Sequence, residues 1–185
     1  MPFTIEIHDG PLRDLLTRLR EAGEDMTPVY GEIGEDVTLR VKQRFGSGTD
    51  PDGNPWAPNS DTVLRRLLHS KKGSFTKTGA LSAKGEQTLA GKRPLVDSGS
   101  LRDTIYFETD GDGVTVGSGL KYAGVHQFGA RKGQFGVSRR GLPIPWGDIP
   151  ARRFMPLTAD AEIDPDEERL VLELIERYYQ QIADN

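Results

Sequence analysis

Val29, Ile33, Val37, Val41 and Phe45 fall at every fourth position, which puts five apolar side chains on one stripe of an α-helix. The helix is predicted to open at Thr27-Pro28, a capping residue followed by a first-turn proline, and to stop at Gly46. Gly31 and Gly34 interrupt it, and each costs about 1 kcal/mol relative to alanine in a helix interior. Such a helix survives only if its stripe is packed, so the rest of the chain must supply a core against it. A second long helix is announced by Asp164-Pro165-Asp166-Glu167, a cap, a proline and a capping-box acid. Leu170, Val171, Leu174, Ile175, Tyr178 and Ile182 follow on one face. A third follows Gly10-Pro11, with Leu12, Leu15, Leu16 and Leu19 at helical spacing and an end near Gly23.

Strand signals are fewer. Phe3, Ile5 and Ile7 alternate with polar residues, predicting a half-buried strand over residues 3–8. DGDG at 110–113 lies between β-prone runs and predicts a hairpin of strands 102–109 and 113–118. ARRFMPLT (151–158) reads as a further strand, and GLKYAGVHQFG (119–129) as a turn or two of helix. These elements predict an α+β fold, a small antiparallel sheet packed against two or three helices, the main ones at 28–45 and 165–182. A length of 185 residues fits a single domain, 1–185. Residues 46–97 read as an extended arm with a short helix around Val63–Leu68, and 130–150 as a long loop.

Charge is unevenly spread. Residues 62–102 hold nine Lys or Arg against two acids, 131–153 six against one, and 160–168 six acids and no base, within a net charge of −4. A basic middle suits phosphate contact, and opposed charge at two ends suits pairing of subunits. Merely solvated loops are the plain alternative. The sequence holds no cysteine, which removes disulfides, thiolate metal sites and cysteine nucleophiles together. It shows no apolar run long enough to cross a bilayer and no secretory pattern at its start, so a cytosolic protein that is not membrane-bound is expected.

Catalytic and metal constellations fail on spacing. Asp50, Asp52, Asn54 and Asp61 resemble a calcium loop. Pro55 occupies the obligatory glycine position, however, the last ligand is Asp61 instead of glutamate, and Gly53 comes two places early. A tight turn is the better reading, with Pro55 and Pro58 fixing the backbone on either side of Trp56. His8, His69 and His126 have no second ligand at a usable spacing. Ser98-Gly99-Ser100 lacks the nucleophile-elbow frame, and neither GSGTDP nor GSGLKY completes a phosphate loop. No enzyme, metal or cofactor reading survives.

Four stretches taken together are more informative: DPDGNPWAP with SDTVLRR (50–66), LVDSGSLRDTI (95–105), VGSGLKYAGVHQFGA (116–130) and IPARRFMPLT (149–158), ahead of an acidic carboxyl-terminal helix. In this order they resemble the phage virion morphogenesis, or tail completion, family of Mu-like and related contractile-tailed phages and prophages. The resemblance spans roughly residues 28–182. Arg153 stands where that family usually has a proline, and the 70–95 segment is longer than in many relatives. The resemblance implies a non-enzymatic assembly protein acting in tail completion or head-tail joining. Its partners would be further copies of itself, as in a ring, and tail or connector proteins, made in the bacterial cytoplasm and placed in the virion. The positions put forward for assembly contacts are Asp52, Trp56, Tyr122, His126, Phe128, Arg139, Arg140, Arg152 and Phe154. A DNA-binding or DNA-processing protein using the basic 62–102 segment, and a chaperone absent from the finished particle, are the alternatives.

Overall fold

The structure, a computed structural model, describes residues 9–158 and 160–184. Among these it contains α1 (Gly10–Glu24), α2 (Thr27–Ser47), α3 (Asp61–Ser70), α4 (Ala83–Ala90), α5 (Ser100–Asp103), β1 (Ile105–Thr109), β2 (Val114–Ser118), α6 (Ala123–Phe128) and α7 (Pro165–Asp184). The two strands form one antiparallel sheet, so the fold is α+β. The chain divides into two compact units, Met1–Thr38 with Phe107–Val116 and Ile163–Asn185, and Leu39–Tyr106 with Gly117–Glu162. Both α2 and the β1–β2 hairpin contribute residues to each.

The first unit is built on α1, α7 and the opening turns of α2. Val29, Ile33 and Val37 of the predicted stripe are buried, as is Leu174 of α7. Asp164 caps α7, its carboxylate accepting from the Asp166 amide at 3.1 Å. α1 packs on α7, Arg18 donating to the Ile182 carbonyl at 3.1 Å, yet no residue of α1 is buried. Gly34 has a structural reason: a Cβ there would lie 2.3 Å from Cδ2 of Phe107, whose ring rests on the helix backbone. Gly31 meets nothing within 4 Å.

In the second unit the stripe continues as buried Val41 and Phe45, joined by Trp56, Leu68, Leu101, Ile105 and Phe154. Ser60 caps α3 by accepting from the Val63 amide at 3.4 Å, and Ser82 caps α4 by accepting from Gly85 at 3.1 Å. The 46–97 segment thus carries α3, where a helix is expected, and α4, where none is.

Three strand expectations fare differently. The hairpin is present, its turn wrapped by Asp110, whose carboxylate accepts from the Asp112 and Gly113 amides at 2.9 Å each. β1 starts at Ile105 and not at 102, because residues 100–103 close the single turn of α5. Residues 151–157 do not form the expected strand. The amides of Phe154 and Met155 are taken by the Gln127 side chain, and Pro156 has no amide to give, so no ladder can propagate. The expected strand at 3–8 lies outside the described residues.

Candidate assembly site: a loop hub and an exposed arm

Three separated loops of the second unit meet around Arg152. This side chain is buried at 8 % exposure, and its guanidinium donates to the carbonyls of Ala57 and Pro58, each at 2.7 Å. Its own amide donates to the His126 carbonyl at 2.7 Å. A buried guanidinium satisfied by carbonyls is held below its ordinary pKa by desolvation. Gln127, next along α6, accepts from the Phe154 and Met155 amides with one oxygen, 2.9 Å from each. Two side chains thereby fix the course of 152–155 against both α6 and the 54–58 loop.

The aromatic layer of the hub is Phe45, Trp56 and Phe154. Trp56 meets Phe45 edge to face at 5.4 Å, and Phe45 meets Phe154 at 5.4 Å. The indole Nε1 donates to the Arg153 carbonyl at 2.9 Å, and Arg44 donates to the Phe154 carbonyl at 3.1 Å. Burying a large aromatic with its polar handle satisfied is a strong local anchor. DPDG forms the expected tight turn, with the Asp50 carboxylate accepting from the Asn54 amide at 2.8 Å. Arg153 bonds both carboxylates of that turn, Asp50 at 3.1 Å and Asp52 more closely. Those contacts, with Asp52 foremost, hold the guanidinium above its ordinary pKa. Two of the four residues that suggested a calcium loop, Asp50 and Asp52, are therefore engaged by a cation of the chain itself.

His126 and Tyr122 face each other edge to face at 5.8 Å and line an open groove of about 810 Å³ together with Val63, Leu67, Leu101 and Ile149. Burial, and then the charge of Arg152, hold the His126 imidazole below its ordinary pKa. Tyr122 and Phe128 are exposed.

Residues 130–149, expected as a loop, form no strand but double back on themselves as an arm pinned by isolated bridges at Ala130–Ile149 and Val137–Pro143. Ala130 and Ile149 exchange backbone bonds of 2.9 and 2.7 Å at its base. Phe135 and Ser138 donate to Ile144 and Leu142 at 2.8 and 2.7 Å further out. Gly129 precedes the base at φ +74°, and a Cβ there would lie 2.7 Å from the Ile149 carbonyl oxygen, so only glycine lets the arm close on its own root. Arg139 and Arg140 are the exposed tip, between Ser138 and Gly141. Phe135, Val137, Leu142, Ile144 and Trp146 are also exposed, Trp146 at 72 %.

Of the positions put forward from sequence, Trp56, His126, Arg152 and Phe154 come together at the hub and Asp52 joins through Arg153. Tyr122, at the start of α6, and Phe128, at its end, are exposed, and Arg139 and Arg140 stand apart at the arm tip. Gln127, Arg44 and the arm's aromatics were not foreseen. Gln127 follows the polar His126 in a helix of only six residues, too short for its pattern to reveal burial. The signal for the arm was Gly136 and Gly141 spaced among Phe135, Val137, Leu142 and Ile144.

The model of the phage virion morphogenesis family matches residues 7–92 and 81–180. A Haemophilus influenzae protein, Mu-like prophage FluMu G protein 2, is 37 % identical over 177 residues, 95 % of each chain. No solved structure matches the chain. The stretches that converge on the hub lie inside these matches, and the chain belongs to the phage virion morphogenesis family.

Proposed function

We propose that the protein is a non-enzymatic structural component that completes the tail or joins it to the head, acting as a homo-oligomer. Family membership supplies the setting. The observation that carries the reading is the use of the hub's polar side chains. Arg152, Gln127 and the Trp56 indole are spent on backbone groups of other loops, which serves a fixed surface and leaves none of them as a free acid, base or nucleophile. The protein is assembled in the host cytoplasm and remains in the particle.

Deletion of its reading frame, followed by electron microscopy of the induced lysate, should give separate heads and tails, and plasmid-borne wild-type protein should restore joined particles. Mass spectrometry of purified virions should find the chain. Normal particles after deletion would reject the assembly role, whereas failed joining with the chain missing from wild-type virions would make it a chaperone.

A further inference from the structure

We infer that the 130–149 arm is the element by which one copy of this chain seizes the acidic unit of the next. The inference rests on the homo-oligomer reading and names its surface. Much of the arm's backbone bonds within the arm, so what it offers outward is mainly side chain. Five large apolar residues are exposed, from 40 % at Ile144 to 72 % at Trp146. A cluster of that kind on one short ribbon marks an interaction surface.

Charge selects the occupant. The unit that carries the arm holds 19 basic and nine acidic residues, and the other unit five basic and 19 acidic. Two copies therefore attract through unlike units and repel through like ones. Arm-to-arm pairing would set Arg139 and Arg140 against their own counterparts, so that contact is disfavoured and one between the arm and the acidic unit favoured. The receiving surface needs acids around an exposed apolar residue. α7 supplies it: Glu168, Leu172 and Glu176 recur at every fourth position and are all exposed, Leu172 at 52 %. Neither glutamate has an ion-pair partner among the described residues. Asp164 and Glu167, also in the acidic run, are buried, which places the contact along the helix and not at its capped start. Exposed ion pairs contribute only about 0–1 kcal/mol each. Trp146 and Phe135 are thus the anchors, and the arginines set orientation and encounter rate. Nucleic acid is the weaker fit, since phosphate contacts make no use of Val137, Leu142 and Ile144.

The absence of cysteine permits a direct test. Val137→Cys carries a single thiol at an exposed position; labelled with a benzophenone maleimide and irradiated at low salt, it should cross-link to α7 of a second copy. Light scattering should show wild-type oligomers that dissociate as salt rises. Trp146→Ser, an exposed change that leaves the core intact, should weaken association at least tenfold with an unchanged circular dichroism melt. Arg139→Glu with Arg140→Glu should weaken it too, and adding Glu168→Lys and Glu176→Lys in the same chain should restore it. Cross-links from arm to arm, a monomer at every concentration, or association that strengthens with salt would overturn the inference. So would a salt-dependent gel shift with duplex DNA that Trp146→Ser and the double arginine reversal abolish while self-association persists. A monomer whose deletion still blocks particle joining would remove this contact and leave the assembly role; an intact oligomer with no effect on phage yield would do the reverse.

Discussion

Replacing Gly31 and Gly34 by alanine, one at a time, sets helix propensity against packing within one turn of α2. At Gly31 the new methyl meets nothing within 4 Å, so the variant should gain nearly the full propensity difference, about 0.8–1 kcal/mol. At Gly34 the same gain is opposed by the Phe107 ring, which a Cβ would approach to 2.3 Å at Cδ2 and 2.6 Å at Cγ. Contact that near the root of the ring cannot be relieved by a small rotation. The ring must leave the helix, or the helix must shift, and overpacking of this sort costs typically about 1–3 kcal/mol. The net expectation is a loss of up to roughly 2 kcal/mol after the propensity gain is counted. For a chain of this size each kcal/mol moves the melting temperature by about 2–4 °C. Thermal melts followed by circular dichroism should rise for Gly31→Ala and fall for Gly34→Ala, and Phe107→Leu should recover part of the Gly34→Ala deficit. Two shifts of the same sign, or no recovery, would refute the packing account of Gly34.

Trp56→Ala should destabilise by about 3–5 kcal/mol, and Trp56→Phe by less, since it forfeits mainly the indole bond to the Arg153 carbonyl and some ring area; urea melts of both variants check this, and a Trp56→Ala loss below 1 kcal/mol would show that the indole is not an anchor. His126 is held below its ordinary pKa of about 6.5 in the folded chain, so the unfolded chain binds the proton more readily and stability should fall as pH drops through that ordinary value toward the lowered one. Urea midpoints at neutral and mildly acid pH should separate more for wild type than for His126→Gln, and equal separation contradicts the assignment. Chelator should leave the melting temperature unchanged because Asp50 and Asp52 are engaged by Arg153; a fall reversed by calcium would show otherwise.

Sequence patterning was most legible where a single element sets its own terms. The four-residue stripe of α2, the proline-and-acid start of α7 and the DGDG turn are local instructions, and each element forms where they place it. The Trp56 loop was legible as rigid, though its edge-to-face contact with Phe45 and its indole bond to the Arg153 carbonyl require residues 11 before and 97 after it. What stayed hidden was decided by long-range bonding. Residues 151–157 have strand-like composition, but Gln127 claims two of their amides. The arm hid behind glycine, proline and arginine because its alternating apolar residues, Phe135, Val137, Leu142, Ile144 and Trp146, stay exposed and build no core, leaving its pairing to a few backbone rungs. The acidic run 160–168 looked uniform until Asp164 was drawn in as a cap and Glu167 buried.

The Ala130–Ile149 clamp lies only three residues before Arg152. The arm is accordingly a lever whose fulcrum is bolted to its own chassis. Force applied at the Arg139–Arg140 tip has to shear two backbone bonds of 2.9 and 2.7 Å before it can drag on the 152–155 strap. That strap is held in turn by Ala57, Pro58 and Gln127. A subunit gripped by its arm would carry tension through that strap into the aromatic layer, so mechanical load in an assembled particle would be borne by the stretches through which its family resemblance is read.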